Sequence, residues 1–159
     1  MAAPPTEYEV KAAFIHNIAK FVEWPAVPPS VRSAKLCVLG QNPFGEALGV
    51  LQGKPVGRLN WEIVPLDGSV SLKECRVLFI SASERGNLGR ILESIANHPV
   101  LTMGDSEGYA EQGVMVNFYL EQSKVRFEIN QEAANRAGLK ISSQLLKLAR
   151  IVRPAGGRP

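Results

Sequence analysis

With 159 residues, 45% of them hydrophobic and 21% charged, the chain has ordinary globular composition and the length of one domain, which excludes disordered, collagen-like and knottin-like architectures. About 150 residues folding together bury roughly 68–70% of their unfolded surface, so an apolar core suffices without a structural metal or a dense disulfide lattice. Eighteen Lys+Arg against 15 Asp+Glu give a net charge of +3, but the basic residues are scattered rather than massed into the stripe that nucleic acid requires.

Met1-Ala2-Ala3-Pro4-Pro5 lacks the positive and apolar regions of a secretory signal, which leaves two origins open: a cytosolic chain starting at its own Met, or a secreted one whose signal has been replaced. Thr6-Glu7-Tyr8-Glu9 has capping-box spacing and predicts a helix start. Val10, Ala13, Phe14, Asn17, Ile18 and Phe21 then recur at helical steps until Trp24-Pro25 ends the pattern. Pro25 to Ser33 reads as a linker.

Strand-like and helix-like pieces alternate from there: Lys35 to Leu39, Phe44 to Leu51, Trp61 to Pro65, Arg76 to Ser81, Glu84 to Asn97 and Val100 to Met103. The alternation predicts an α/β layered sandwich, a mixed, mostly parallel sheet flanked by helices. Val77-Leu78-Phe79-Ile80 is continuously apolar, as a central strand covered on both faces would be. After Gly104, Val114 to Leu120 and Lys124 to Ile129 read as a C-terminal β-hairpin turned at Glu121-Gln122-Ser123. Val125, Phe127 and Ile129 alternate with Lys124, Arg126 and Glu128, predicting one dry face and one wet. Asn130 suits the N-cap of a short helix ended by Gly138, and Ile141 to Val152 is a last amphipathic segment. A single domain over residues 1–152 with a flexible tail over 153–159 is the economical reading.

Catalytic patterns are sparse. Gly104-Asp105-Ser106-Glu107-Gly108 matches the GxSxG elbow of serine hydrolases, which needs a helix after the serine and a later histidine. His16 and His98 both lie upstream, and the run from Glu107 to Met115 carries Gly108 and Gly113, so a loop with a satisfied Ser106 is predicted. Gly49 to Lys54 is too short for a phosphate loop and lacks the hydroxyl after the lysine. Neither histidine has a ligand partner at helical spacing, and paired carboxylates such as Glu7/Glu9 and Asp105/Glu107 fall at cap and loop positions. No catalytic set, cofactor site or metal site is predicted. Cys37 and Cys75 both fall at strand positions, where buried thiols and a bridge are both open readings.

Several segments carry a family likeness. Ala12 to Ile15 with Asn17 to Phe21 and Trp24-Pro25, Leu36 to Gly40, Cys75 to Ser81, Val116-Asn117-Phe118, Val125 to Asn130, and Ala137 to Leu146 resemble the YfiR-like periplasmic proteins. The likeness runs from about Tyr8 to Val152 in one order. It implies a secreted, periplasmic chain in which Cys37 and Cys75 form a disulfide. It also implies a non-enzymatic regulator that represses a YfiN-like membrane diguanylate cyclase by binding its periplasmic domain. A YfiB-like outer-membrane lipoprotein would in turn sequester the regulator, coupling the envelope to cyclic-di-GMP and biofilm formation.

The hairpin and the helix after it are the candidate partner surface. Glu128 matches a position of partner contact in the family, with Arg126, Asn130, Asn135 and Ile141 nearby; alternatively Arg126 and Glu128 only solvate an edge strand. Family members tend to dimerise, and a homodimer is expected. Two departures limit the transfer. The second cysteine pair of the best-known member is absent, because Glu111 to Leu120 contains no cysteine. Some members bind small aromatic ligands such as tryptophan in a basic pocket, but here Glu23 and Ser142 stand where a basic residue and a histidine are expected. The alternative function, a periplasmic receptor for an amino acid or nucleotide, would rest on Trp24 and Lys140.

Overall fold

Thr6 opens the first helix with both bonds of a capping box: its Oγ1 accepts the Glu9 N–H at 3.2 Å, and its own N–H donates to Glu9 Oε1 at 2.9 Å. The bond to the Thr6 amide holds the Glu9 carboxyl below its usual range. This helix, α1 (Glu7–Ala19), buries Lys11, Ala12, Ile15, Ile18 and Ala19. The stripe is rotated from the expected one: Ala13 and Asn17 are exposed, and Phe21, beyond the helix, is 40% exposed. The sequence pattern passes over Lys11 because an isolated lysine is not a core residue; here paired carboxylates make its burial tolerable.

The computed structural model describes residues 6–66 and 71–153. After α1 come β1 (Val22–Glu23), β2 (Ser33–Leu39), a 3-10 turn at Ala47–Leu51, β3 (Pro55–Val56) and β4 (Leu59–Pro65). A 3-10 turn at Leu72–Glu74 leads into β5 (Val77–Ile80), and another, Ala82–Asn87, runs into α2 (Leu88–Ser94). Then follow β6 (Leu101–Gly104), α3 (Tyr109–Gln112), β7 (Val116–Glu121), β8 (Lys124–Ile129), α4 (Gln131–Arg136), β9 (Lys140–Ile141), α5 (Ser143–Leu146) and β10 (Arg150–Ile151). Apart from Arg153, the expected tail lies outside the described residues.

Eight strands form one sheet in the order β10-β8-β7-β6-β5-β2-β4-β3. Only the β3/β4 and β7/β8 pairings in it are antiparallel, so the fold is the expected mixed, mostly parallel α/β sheet with a C-terminal hairpin. The strand period of two sorts its core. Leu36, Val38, Val77 and Phe79 face α1 on one side, while Cys37, Leu78 and Ile80 meet Leu88 and Ile91 of α2 on the other. All four residues of β5 are buried, as a strand covered on both faces must be.

The hairpin turns through Gln122 and Ser123, both at positive φ (51° and 64°), in register Glu121 to Lys124. That twist matches the strands it joins. Along β8, Lys124 and Arg126 are exposed but Phe127, Glu128 and Ile129 are all buried, so the expected wet face ends before Glu128. The reason is β10, which pairs in parallel with the end of β8. The segment from Ile141 to Val152 is likewise no amphipathic helix. It divides into the end of β9, one helical turn and β10, with Leu148 74% and Ile151 50% exposed.

Trp61 of β4, buried to 1% exposure, donates its indole N–H to His16 Nδ1 of α1 at 2.9 Å. His16 is therefore a half-buried acceptor rather than a free surface residue. Burial first, then Lys20 and Lys54, lowers its pKa from the ordinary value. Because the folded value lies below the unfolded one of about 6.5, the unfolded chain takes up the proton first. This contribution to stability is full above that value and declines as pH falls toward the lowered one. Urea midpoints across this range should fall with pH in the wild type and lose part of that slope in His16→Asn, whose amide oxygen accepts without titrating. An unchanged slope would exclude His16 as the titrating group.

Candidate functional site

In open α/β sheets ligands gather outside the carboxyl ends of the strands, where the strand order reverses. Here the order reverses between β2 and β5, and that crevice is filled. Gly40 turns at φ +94°, Gln41 N–H donates to Ser83 Oγ at 2.9 Å, and Ser81 and Ser83 hydroxyls bond to each other at 2.7 Å. A Cβ on Gly40 would lie 2.4 Å from Ser81 Oγ. Open space lies instead further along the same edge, beyond β6 and β7, in a polar cleft of about 620 Å³.

One wall of the cleft comes from α1. Lys11, 3% exposed, pairs with Glu7 and reaches Asp105 Oδ2 at 2.9 Å, while its ammonium lies 4.4 Å from the Tyr8 ring centroid. Tyr8 O–H donates to the same Asp105 oxygen at 2.6 Å. Burial, then that hydrogen bond, pushes the Tyr8 hydroxyl well above the ordinary phenol range. The opposite wall comes from the hairpin and the C-terminal strand. Asn117, the second residue of β7, donates through Nδ2 to Ser106 O at 2.9 Å and Glu128 Oε1 at 3.0 Å. Arg150 of β10 pairs with the other Glu128 oxygen and lies 4.4 Å from the Tyr119 ring centroid. The bond to Glu128 raises the Arg150 pKa further.

Ser106 sits behind this wall. Contrary to expectation, a helical turn follows it, α3, because Tyr109 packs onto Gly104 and sends its O–H 2.9 Å to Ser81 O. Ser106 is also not satisfied: its buried Oγ has no hydrogen-bond partner among the described residues. His16 is committed to Trp61, so it supplies no base to Ser106. The Gly49 to Lys54 segment is the end of a 3-10 turn.

The expected site residues fall into separate environments. Cys37 and Cys75 are bonded, with Cα atoms 5.9 Å apart. Arg126 is exposed and pairs with Glu121 at 3.6 Å, and Asn135 is exposed on α4. Glu128 is buried in the pair with Arg150. Asn130 is 0% exposed and caps α4 by accepting the Ala133 N–H, while its Nδ2 donates to Ala110 O. Ile141 is buried opposite Val22 in the β1/β9 ladder. Of the five partner-surface residues, only Arg126 and Asn135 present side chains outward. Trp24 and Lys140 do not share a pocket: Arg76 covers the Trp24 ring at 4.2 Å, while Lys140 borders a shallow cleft of about 300 Å³ with Lys20, Phe21, Glu23 and Ser142.

Lys11, Asn117 and Arg150 are the residues that sequence reasoning missed. Asp105, expected as a solvated loop carboxylate, is instead 7% exposed at its side chain because Lys11 pairs with it. Asn117 carried a signal, being a lone polar residue inside the apolar run Val114 to Leu120. Among the described residues, no group of three or more His, Cys, Asp or Glu could hold a metal ion, and no helix is long and apolar enough to cross a membrane.

The family model described as YfiR/HmsC-like matches residues 8–150. Among solved structures, a conserved domain protein from Vibrio cholerae superposes with a TM-score of 0.54 at 14% identity, over 94% of this chain and 61% of that one. An ABC domain from Streptococcus pneumonia in complex with L-Trp superposes at 0.53 and 11% identity, over 86% of this chain and 60% of that one. The chain thus spans about three fifths of each, and the likeness to them is one of fold.

Proposed function

We propose, given that this chain belongs to the YfiR/HmsC-like family over residues 8–150, that it is a periplasmic, non-enzymatic regulator. It would bind the periplasmic domain of a YfiN-like diguanylate cyclase and hold it inactive, with a YfiB-like lipoprotein as the competing partner and a homodimer as the working form. The family match along nearly the whole chain carries this reading. The buried Cys37–Cys75 bond supports an oxidising compartment.

The docking surface is the exposed part of the hairpin and α4, with Arg126 and Asn135 in contact. Glu128 acts behind it by fixing Arg150 and the end of β8 rather than by touching the partner. A receptor role through Trp24 and Lys140 has less support, because Arg76 already occupies the indole face.

Interferometry against the purified cyclase periplasmic domain tests the surface. Arg126→Glu should weaken binding tenfold or more, about 1.4 kcal/mol, with an unchanged melting temperature. Full affinity in Arg126→Glu and Asn135→Arg together would remove this surface, and no binding by the wild type would remove the repressor reading.

A further inference from the structure

We propose that a cavity at the amino ends of β6 and β7, on the opposite edge of the sheet from the polar cleft, binds a small apolar monocarboxylate. Its volume is about 380 Å³, and it lies between the end of α2, the turn after α3 and helix α4. That is the size of a small-molecule site. Turning and small residues hold it open. Asn97, at φ +68°, turns the chain between α2 and β6, and Gly113, at φ +123°, ends α3 where a Cβ would come within 3.3 Å of Leu92 Cδ1. Ala133 of α4 and Ala137 just after it line the same space without filling it. The rest of the floor is Ile95, Val100 and Met115, all buried. Thr102, the buried polar side chain on this floor, already accepts the Met115 N–H through Oγ1 at 2.9 Å. The interior therefore suits a hydrocarbon body.

The rim supplies a site for the head group. Arg136 lines the cavity, is exposed, and pairs with no carboxylate among the described residues. A guanidinium at the mouth of an apolar space matches a carboxylate, which it can hold through two parallel hydrogen bonds. Glu93 lines the same cavity, exposed and likewise without an ion-pair partner among the described residues. Its charge disfavours a second negative group, which selects a monocarboxylate over a dicarboxylate or a phosphate.

This inference goes beyond the regulator reading, and binding is measured on the chain alone, whatever the outcome with the cyclase. Calorimetry at low salt with sodium hexanoate should give one saturable site with Kd below about 1 mM. Butyrate should bind at least about fivefold more weakly, since each buried methylene contributes roughly a factor of four, and hexylamine and adipate at least about tenfold more weakly. Arg136→Gln should weaken hexanoate about tenfold or more at an unchanged melting temperature, and Ala137→Leu, which narrows the cavity, should weaken it as well. No saturable binding of hexanoate, equal affinity for butyrate, hexylamine or adipate, or full affinity in either variant would overturn the proposal.

Discussion

Reduction of the Cys37–Cys75 disulfide is expected to cost the native chain about 4 kcal/mol and to lower its melting temperature by about 8–16 °C. The bond closes a loop spanning 38 positions, and releasing it returns that loop's conformational freedom to the unfolded chain. Little native strain is relieved in exchange, because Cys37 lies inside β2 and Cys75 just ahead of β5, strands that pair anyway. Both cysteines are buried, at 0% and 2% exposure, with Val64 and Leu78 in the same apolar cluster. Thiol reagents therefore reach the sulfurs only when the packing around β2 and β5, in the interior of the sheet, opens, and reduction should be slow in native buffer and fast in urea. Calorimetric scans of the oxidised and reduced protein, with Cys37→Ala/Cys75→Ala as reference, measure the loss. A reduced protein melting within about 2 °C of the oxidised one would show that the staple adds nothing.

Local chemistry was legible in the sequence, and long-range assembly was not. The Thr6 capping box, the Asn130 cap, the buried run of β5 and the presence of the hairpin all follow from residues within a few positions of one another. The hairpin register does not: the turn is one residue shorter than the expected Glu121-Gln122-Ser123, with Glu121 paired to Lys124. The rotation of α1 does not, because it depends on Asp105 arriving from 94 positions away to hold Lys11. Alternation along β8 puts Glu128 on the wet side; the partner that buries it, Arg150, belongs to a segment whose apolar residues suggest a helix. There the pairing of β9 with β1 and of β10 with β8 prevails over the helical pattern, leaving only the single turn capped by Ser142. The cleft draws on α1, the loop before α3, the hairpin and β10, so no single stretch of sequence carries its signature. The fold class was legible from the alternation of strand-like and helix-like pieces, and the family likeness because it weighs all these segments together, in order.

Lys11→Met is expected to destabilise the protein by about 3–5 kcal/mol, a loss typical of removing one member of a buried ion pair. The mutation leaves Asp105, whose side chain is 7% exposed, with no cation in place of the ammonium at 2.9 Å. Tyr8 still donates to it, but one neutral hydroxyl does not balance a buried carboxylate. Glu7 contributes less, since at 39% side-chain exposure water screens it. Removing both buried charges should therefore restore much of the loss: in Lys11→Met/Asp105→Asn the methionine fills the lysine stem's volume, and the amide oxygen can accept the Tyr8 O–H. Urea unfolding of the two single variants and the double separates the pair's coupling from the cost of an orphaned charge. Should Lys11→Met cost less than about 1 kcal/mol, the value of a solvated surface pair, Lys11 would not be the buried anchor joining α1 to the loop after β6, and this wall of the cleft would have to be held by its apolar contacts alone.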